Sequence, residues 1–252
     1  MKKLILAFVV LPFIYLSAEE QPQPIPRNVV FVGVDVSGSF LQSKYFDDSL
    51  TFLAKYLYFH LNAIGELEVP HSLFVGSLGG AKANEAKTFY PIETFRNASE
   101  DQILAELKKI FTKKKENPFT DYNAFFKQVA EYVQNRKLIL KPLSIIMISD
   151  GAPDLPKMKG EKAYKAIDLS VLELLSRNVT VRLLYTNAVI GENWQNKVPR
   201  RRIKVWTQDA VVMAQWKDPK ILVPGKPMTE QPAFVDWLKN NVDFAPPKKV
   251  VN

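Results

Sequence analysis

The residues best suited to chemistry stand where two apolar runs stop. Val29 to Val34 is a valine-rich run that ends in Asp35-Val36-Ser37-Gly38-Ser39. Leu143 to Ser149 is a second apolar run, and it ends in Asp150-Gly151. Between them, the loop Asn117-Pro118-Phe119-Thr120-Asp121 opens a helical pattern. Apolar runs of this length and composition are those of strands buried on both faces. In open α/β sheets ligands bind outside the carboxyl ends of such strands. The three loops can therefore gather Asp35, Ser37, Ser39, Thr120 and Asp150 at one edge. Asp, Ser and Gly are also ordinary turn residues, so each loop alone says little. Together they offer oxygen atoms only. Hard divalent ions prefer that ligand type, and the smallest keep several waters. Hydroxyl ligands, with the carboxylates held partly behind water, leave such an ion undercharged and open to an anionic oxygen from outside.

The rest of the composition narrows the chemistry. The chain of 252 residues has no cysteine, which excludes disulfides, thiolate metal sites and a cysteine nucleophile. His60 and His71 are the only histidines, so a multi-histidine zinc site is not expected. Ser37 has no histidine or lysine nearby in sequence to act as its base, and Asp35-Val36-Ser37 lacks the second aspartate of an aspartyl phosphatase. A metal-dependent hydrolase using Asp35 or Ser37 is therefore weakly supported.

The elements that must position these loops alternate. Phe46, Leu50, Leu53, Leu57 and Leu61 give a helix over about 44–63, with His60 in its final turns as a packing or surface residue. Leu73 to Gly76 reads as a strand broken by Gly79-Gly80, and Phe89 to Phe95 as a short strand that Pro91 pushes to an edge. Ser99 to Gln102 is a capping box opening a helix that Lys113-Lys114-Lys115 ends. Asp121 is a helix-start residue for the helix carrying Phe125, Phe126, Val129, Tyr132 and Val133, and Asp154 is a loop acid. A helix over about 162–177, a strand Val179 to Tyr185, apolar stretches at Ile203 to Trp206 and Val211 to Trp216, and a last helix capped by Thr229 complete the pattern. Such alternation predicts an α/β, three-layer, Rossmann-like fold: a mostly parallel sheet with helices on both faces.

Met1-Lys2-Lys3, the apolar Leu4 to Leu16 and Ser17-Ala18 form a signal-peptide pattern over 1–18. The apolar stretch is short for a membrane span. Residues 19–26 form a proline-spaced tether, 27–243 one domain, and 244–252 a proline- and lysine-rich loose tail. This predicts export, to a periplasm or beyond it to the surface or medium, with no membrane span after cleavage. The formal charge is +8, and loss of Lys2 and Lys3 with the leader leaves +6. Arg200-Arg201-Arg202 is a single short basic run without interleaved aromatics. It reads as a solvated connection, and no nucleic-acid partner is expected.

Asp35-Val36-Ser37-Gly38-Ser39, Thr120 and Asp150, in that order on an alternating α/β pattern, resemble the von Willebrand factor type A domain and its metal-ion-dependent adhesion site. The resemblance covers about 27–241. It implies one antiparallel edge strand, here Phe89 to Phe95. It also implies a Mg²⁺ (or Mn²⁺ or Ca²⁺) contacted by Ser37, Ser39 and Thr120, with Asp35 and Asp150 direct or through water, and a partner's Asp or Glu completing the shell. The function implied is a protein-binding module for adhesion or assembly, with the loops Gly76 to Thr88 and Gly151 to Lys162 setting selectivity. The rival reading is a structural factor of a periplasmic or surface assembly whose metal site is vestigial. Two departures, Phe40 in place of a common methionine and Phe119 in place of a small residue, bear on access to the ion.

Overall fold

In the computed structural model, the described residues are 28–80, 85–113, 119–154 and 158–243. Residues 1–27 and 244–252, on which the expected signal peptide, tether and tail fall, lie outside them. Six strands form one sheet in the order β3-β2-β1-β4-β5-β6. The strands are β1 (Val29–Asp35), β2 (Ser72–Leu78), β3 (Phe89–Pro91), β4 (Leu143–Ile148), β5 (Val179–Thr186) and β6 (Lys204–Asp209). All pairings are parallel except β2 with β3, so the antiparallel strand lies at the sheet edge as expected. It is shorter than the sequence suggests: Pro91 has no N–H to extend the ladder, and Ile92–Thr94 turn into a 3₁₀ helix.

The strand order reverses direction at β1. One connection from it leads to β2 and the later ones to β4, which makes the space above β1 and β4 the topological switch point. Strand β1 carries the alternation that builds both faces. Val30, Val32 and Val34 enter a core shared with α2 (Phe46–Leu61), α3 (Glu100–Ile110) and α9 (Pro232–Asn241). Val29 and Phe31 enter a second core with α4 (Tyr122–Asn135) and α7 (Ala188–Lys197). On that second face Gly33 has no side chain because Phe125 lies there: a Cβ would come within 2.8 Å of its ring.

Short helices complete the shell: α1 (Gly38–Leu41), α5 (Glu161–Lys165), α6 (Ser170–Glu173) and α8 (Ala210–Met213). The helix expected over about 162–177 is in fact α5 and α6. Asn123 of α4 breaks it by capturing backbone on both sides of the interruption. Its Nδ2 donates to Ala166 O at 2.8 Å, and its Oδ1 accepts from Asp168 N at 2.7 Å. Asp168 then accepts from Ser170 N at 2.8 Å and restarts the helix. Leu174, just past the end of α6, is 82% exposed. Helix α7 has no counterpart in the sequence reading. Its cap, Asn187 accepting from Ile190 N at 2.9 Å, is the signal that was there to be read.

The Ser99 capping box is present with both bonds, but α3 ends at Ile110, with Lys108 and Lys109 in its last turn. Lys113 instead reaches Asp47 at 2.6 Å. Gln231 stands at the start of α9 without a side-chain capping bond, Pro232 is in its first turn, and Thr229 lies in a separate 3₁₀ turn. His60 finds a partner remote in sequence, the Asp243 carboxylate at 3.2 Å. Among the described residues no helix is long and apolar enough to cross a membrane.

Candidate functional site

Strand β1 delivers Asp35 to the switch point fully buried. Its Oδ1 accepts the backbone N–H of Ser37 at 2.8 Å, a local bond that fixes the turn leaving the strand. Its Oδ2 accepts from Ser149 Oγ at 2.6 Å. Ser37 and Ser39 place their hydroxyls 3.3 Å apart, Ser37 buried and Ser39 exposed. The first loop thus runs from a buried carboxylate to an open hydroxyl.

The second loop is locked by backbone contacts against the turn that follows β2. Gly80 N donates to Phe119 O at 3.0 Å, and Phe119 N returns a bond to Gly80 O at 3.4 Å. Gly79, at φ +87°, is the pivot: a Cβ there would stand 2.8 Å from Phe119 O and 3.6 Å from Asp35 Oδ1. Thr120 follows, buried and bridged to Asp154 of the third loop. Asp121 caps α4, accepting from Ala124 N at 3.0 Å, as its position suggested. Asp154 is exposed and contributes backbone to that bridge.

The third loop leaves β4 through Ser149, Asp150 and Gly151. Asp150 is half-buried and accepts from Ala152 N at 3.0 Å. Gly151 O accepts from the buried Trp194 Nε1 at 2.7 Å, so α7 anchors this loop. Ser149 is the residue that sequence reasoning missed, and a hydroxyl closing an otherwise apolar strand was its signal. It gives its one hydrogen to Asp35 and receives from Gly151 N at 3.0 Å. Tyr122 OH, 2.9 Å away, is therefore a donor to Ser149.

Burial pushes the Asp35 carboxyl up to about 6, against the lowering effect of its bonds to Ser149 and Ser37, and the Asp150 charge raises it further. Among the described residues no cationic side chain pairs with Asp35 and no three Asp, Glu or His residues cluster as a metal site. The set therefore comprises two carboxylates and three hydroxyls, a hard, oxygen-only group around a buried acid that has no counter-charge among the described residues. Those features fit a divalent cation, which would reverse the burial penalty on the carboxylate.

Phe40 does not stand over the site. It is buried in the core, edge-on to Phe46 and Tyr185 with ring centres 6.1 and 6.2 Å away. The selectivity loop expected from Gly76 begins later, because β2 runs to Leu78. Residues 81–84 and 155–157 of the two selectivity loops lie outside the described residues.

No protein-family model and no curated protein matches the chain. Solved structures do. The pilus adhesin SpaC from Lactobacillus rhamnosus GG, in an open conformation, matches over 87% of this chain and 31% of its own, with 11% identity and a TM-score of 0.50. The manganese-loaded TRAP protein of Plasmodium vivax matches over 77% of this chain and 72% of its own, with 14% identity and a TM-score of 0.46. Proximal thread matrix protein 1 of the mussel byssus matches over 76% and 46%, with 14% identity and a TM-score of 0.46. The chain thus spans under half of that byssus protein and under a third of the adhesin. At such identities the likeness concerns fold alone. With the sheet order, the antiparallel edge strand and the flanking helices, it defines a von Willebrand factor type A fold.

Proposed function

We propose that this chain is a divalent-metal-dependent protein-binding module. Asp35, Ser37, Ser39, Thr120 and Asp150 hold a Mg²⁺, with Mn²⁺ and Ca²⁺ as the other hard ions an oxygen-only set accepts. When bound, the ion supplies an electrophilic position for an Asp or Glu carboxylate of a protein partner. The observation that carries this reading is the fully buried Asp35 carboxylate, with no cationic side chain paired to it among the described residues and a ladder of hydroxyls leading from it to solvent. Ser37 sets its hydroxyl against that of Ser39 and against the Asp35 carboxylate, an all-oxygen arrangement that favours a binding role over hydrolysis. On this reading the signal-peptide pattern at Met1–Ala18 carries the module out of the cytoplasm.

The test is calorimetry of Mg²⁺ and Mn²⁺ binding to the chain and to its Asp35→Ala and Asp150→Ala variants, with folding checked by circular dichroism. Saturable binding by the parent, lost in both variants, is the expected outcome. Acetate in millimolar excess stands in for the partner's carboxylate and should tighten binding. Silence with acetate present would overturn the reading and leave the structural-factor alternative.

A further inference from the structure

The edge of the sheet opposite the candidate site carries an unusual surface. Three adjacent connections enter β4, β5 and β6 there. The first holds Ile139 and Leu140, which are 45% and 79% exposed, and the second begins at Leu174, 82% exposed. Single exposed leucines are unremarkable. These belong together, because Leu140 N donates to Leu175 O at 2.7 Å and so joins the two connections. Leu140 also adopts φ +72°, a left-handed conformation that a leucine disfavours and that burial of its side chain does not offset.

Cations surround these tips. Arg136, Lys137 and Lys141 flank the first connection, and Arg177 follows the second. The third connection brings Arg201 and Arg202 beside Leu174. Their backbone N–H groups donate to Glu173 Oε1 at 2.7 and 3.1 Å, and Arg202 Nη2 donates to Glu173 O at 2.7 Å. Glu173 is thus tied to backbone, while Arg136, which also reaches Tyr132, and Lys137, Arg177 and Arg201 are exposed residues on the connections that carry the apolar tips, a basic collar in sequence terms. The arginine run, a plain solvated connection when read alone, is one arc of that collar. The amino-terminal part of the chain arrives at the same place: Val29 N donates to Pro142 O at 2.8 Å, two residues beyond Leu140.

We propose that this edge is a docking surface for an anionic phospholipid bilayer, with Leu140 and Leu174 entering the interface and the collar meeting the headgroups. A few apolar side chains seated in the interface, plus basic residues within a Debye length of an anionic surface, is the combination that holds a peripheral protein reversibly. The proposal is independent of the metal site. Bound this way, the fold turns its metal-bearing edge away from the membrane.

The absence of cysteine makes the test direct. The full-length variants Leu140→Cys, Leu174→Cys and Val189→Cys are each labelled with an environment-sensitive fluorophore. Val189, 67% exposed, begins α7 at the opposite edge and serves as the control. Each is mixed with vesicles of phosphatidylethanolamine and phosphatidylglycerol, or with vesicles of phosphatidylcholine alone. The expected result is a blue shift for labels at 140 and 174, none at 189, only with phosphatidylglycerol present and reversed by salt. Replacing Arg177 and Arg201 by Glu in the Leu140→Cys chain should weaken partitioning by at least about tenfold, since each surface cation contributes about fivefold. Equal shifts at all three positions, as an amino-terminal anchor alone would give, would overturn the proposal. So would no shift at 140 and 174, the result expected if a protein partner covers this edge.

Discussion

Ser149 Oγ donates to Asp35 Oδ2 at 2.6 Å, joining the ends of two adjacent parallel strands across 114 positions of sequence. With Tyr122 OH donating into the same Ser149 oxygen, the buried carboxylate of β1 sits at the end of a relay of hydroxyls from α4 and β4. A bond of this kind to a charged acceptor contributes more than a neutral one, and its loss leaves a buried group unsatisfied.

Ser149→Ala should therefore destabilise the fold by about 1–3 kcal/mol at pH 7. The substitution costs Asp35 its strongest lowering contact and Tyr122 its acceptor. Urea denaturation of the two proteins in chelator measures the difference. An unchanged midpoint would show that water replaces the serine at Asp35.

Asp35→Asn should act in opposite directions with and without metal. In the ion-free fold burial raises the Asp35 carboxyl from its ordinary 3.8 to about 6. A raised pKa means that the contribution of this group is fully present below pH 3.8 and is lost as pH rises through about 6. Ionising it at pH 7 then costs the fold up to about 3 kcal/mol. The asparagine variant in chelator should be more stable than the parent at pH 7, with the gap closing below pH 4. Mg²⁺ should raise the Tm of the parent and leave that of the variant unmoved. Thermal melts at several pH values, with and without Mg²⁺, test both halves.

The pair His60 and Asp243 sets a second pH dependence at the other end of the molecule. Burial alone would lower the His60 pKa, but the Asp243 charge and hydrogen bond, with the Glu68 carbonyl, raise it above 6.5. Burial would likewise raise Asp243, but the facing His60, Arg182 and Tyr56 hold it below its ordinary 3.8. The His60 contribution is fully present below pH 6.5 and is lost as pH rises through its folded value. The Asp243 contribution is present above pH 3.8 and is lost as pH falls through its folded value. His60→Gln should flatten the loss of stability on the alkaline side of pH 6.5. The difference in Tm between parent and variant across pH 5 to 9 measures it, and a constant difference would rule the pair out.

What was legible in the sequence follows from which interactions are local. The β1 and β4 runs, the Ser99 capping box and the Asp121 cap are written in contiguous residues, and each appears where its pattern stands. The five oxygen-bearing residues could be placed at one edge because parallel strands share a direction. Tertiary capture was not legible. Asn123 breaks the helix over about 162–177 from another element, and His60 meets Asp243 across 183 positions. Phe40 illustrates the same limit: its neighbour in sequence is a candidate site residue, yet α1 turns it into the core against Phe46 and Tyr185.

Gly79→Ala tests whether the turn after β2 holds the second loop in place by one tight backbone approach. Gly79 sits at φ +87°, where an L side chain is strained, and its Cβ would meet Phe119 O at 2.8 Å. The conformation alone should cost about 1–2 kcal/mol, and the clash adds to it. Relief of the clash must move Phe119 and therefore Thr120 away from Asp35 and Ser37, so the variant should lose Mg²⁺ affinity as well as stability. Gly38→Ala is the control. It lies in the first loop, between Ser37 and Ser39, yet its added Cβ meets nothing within 4 Å, and it begins α1. That variant should keep the parent's stability to within about 1 kcal/mol and keep its Mg²⁺ binding. If both variants bind Mg²⁺ as the parent does, Thr120 is not held in place through Gly79. If both lose it, the site responds to an added methyl in either loop, and the close approach at Gly79 is not what organises it.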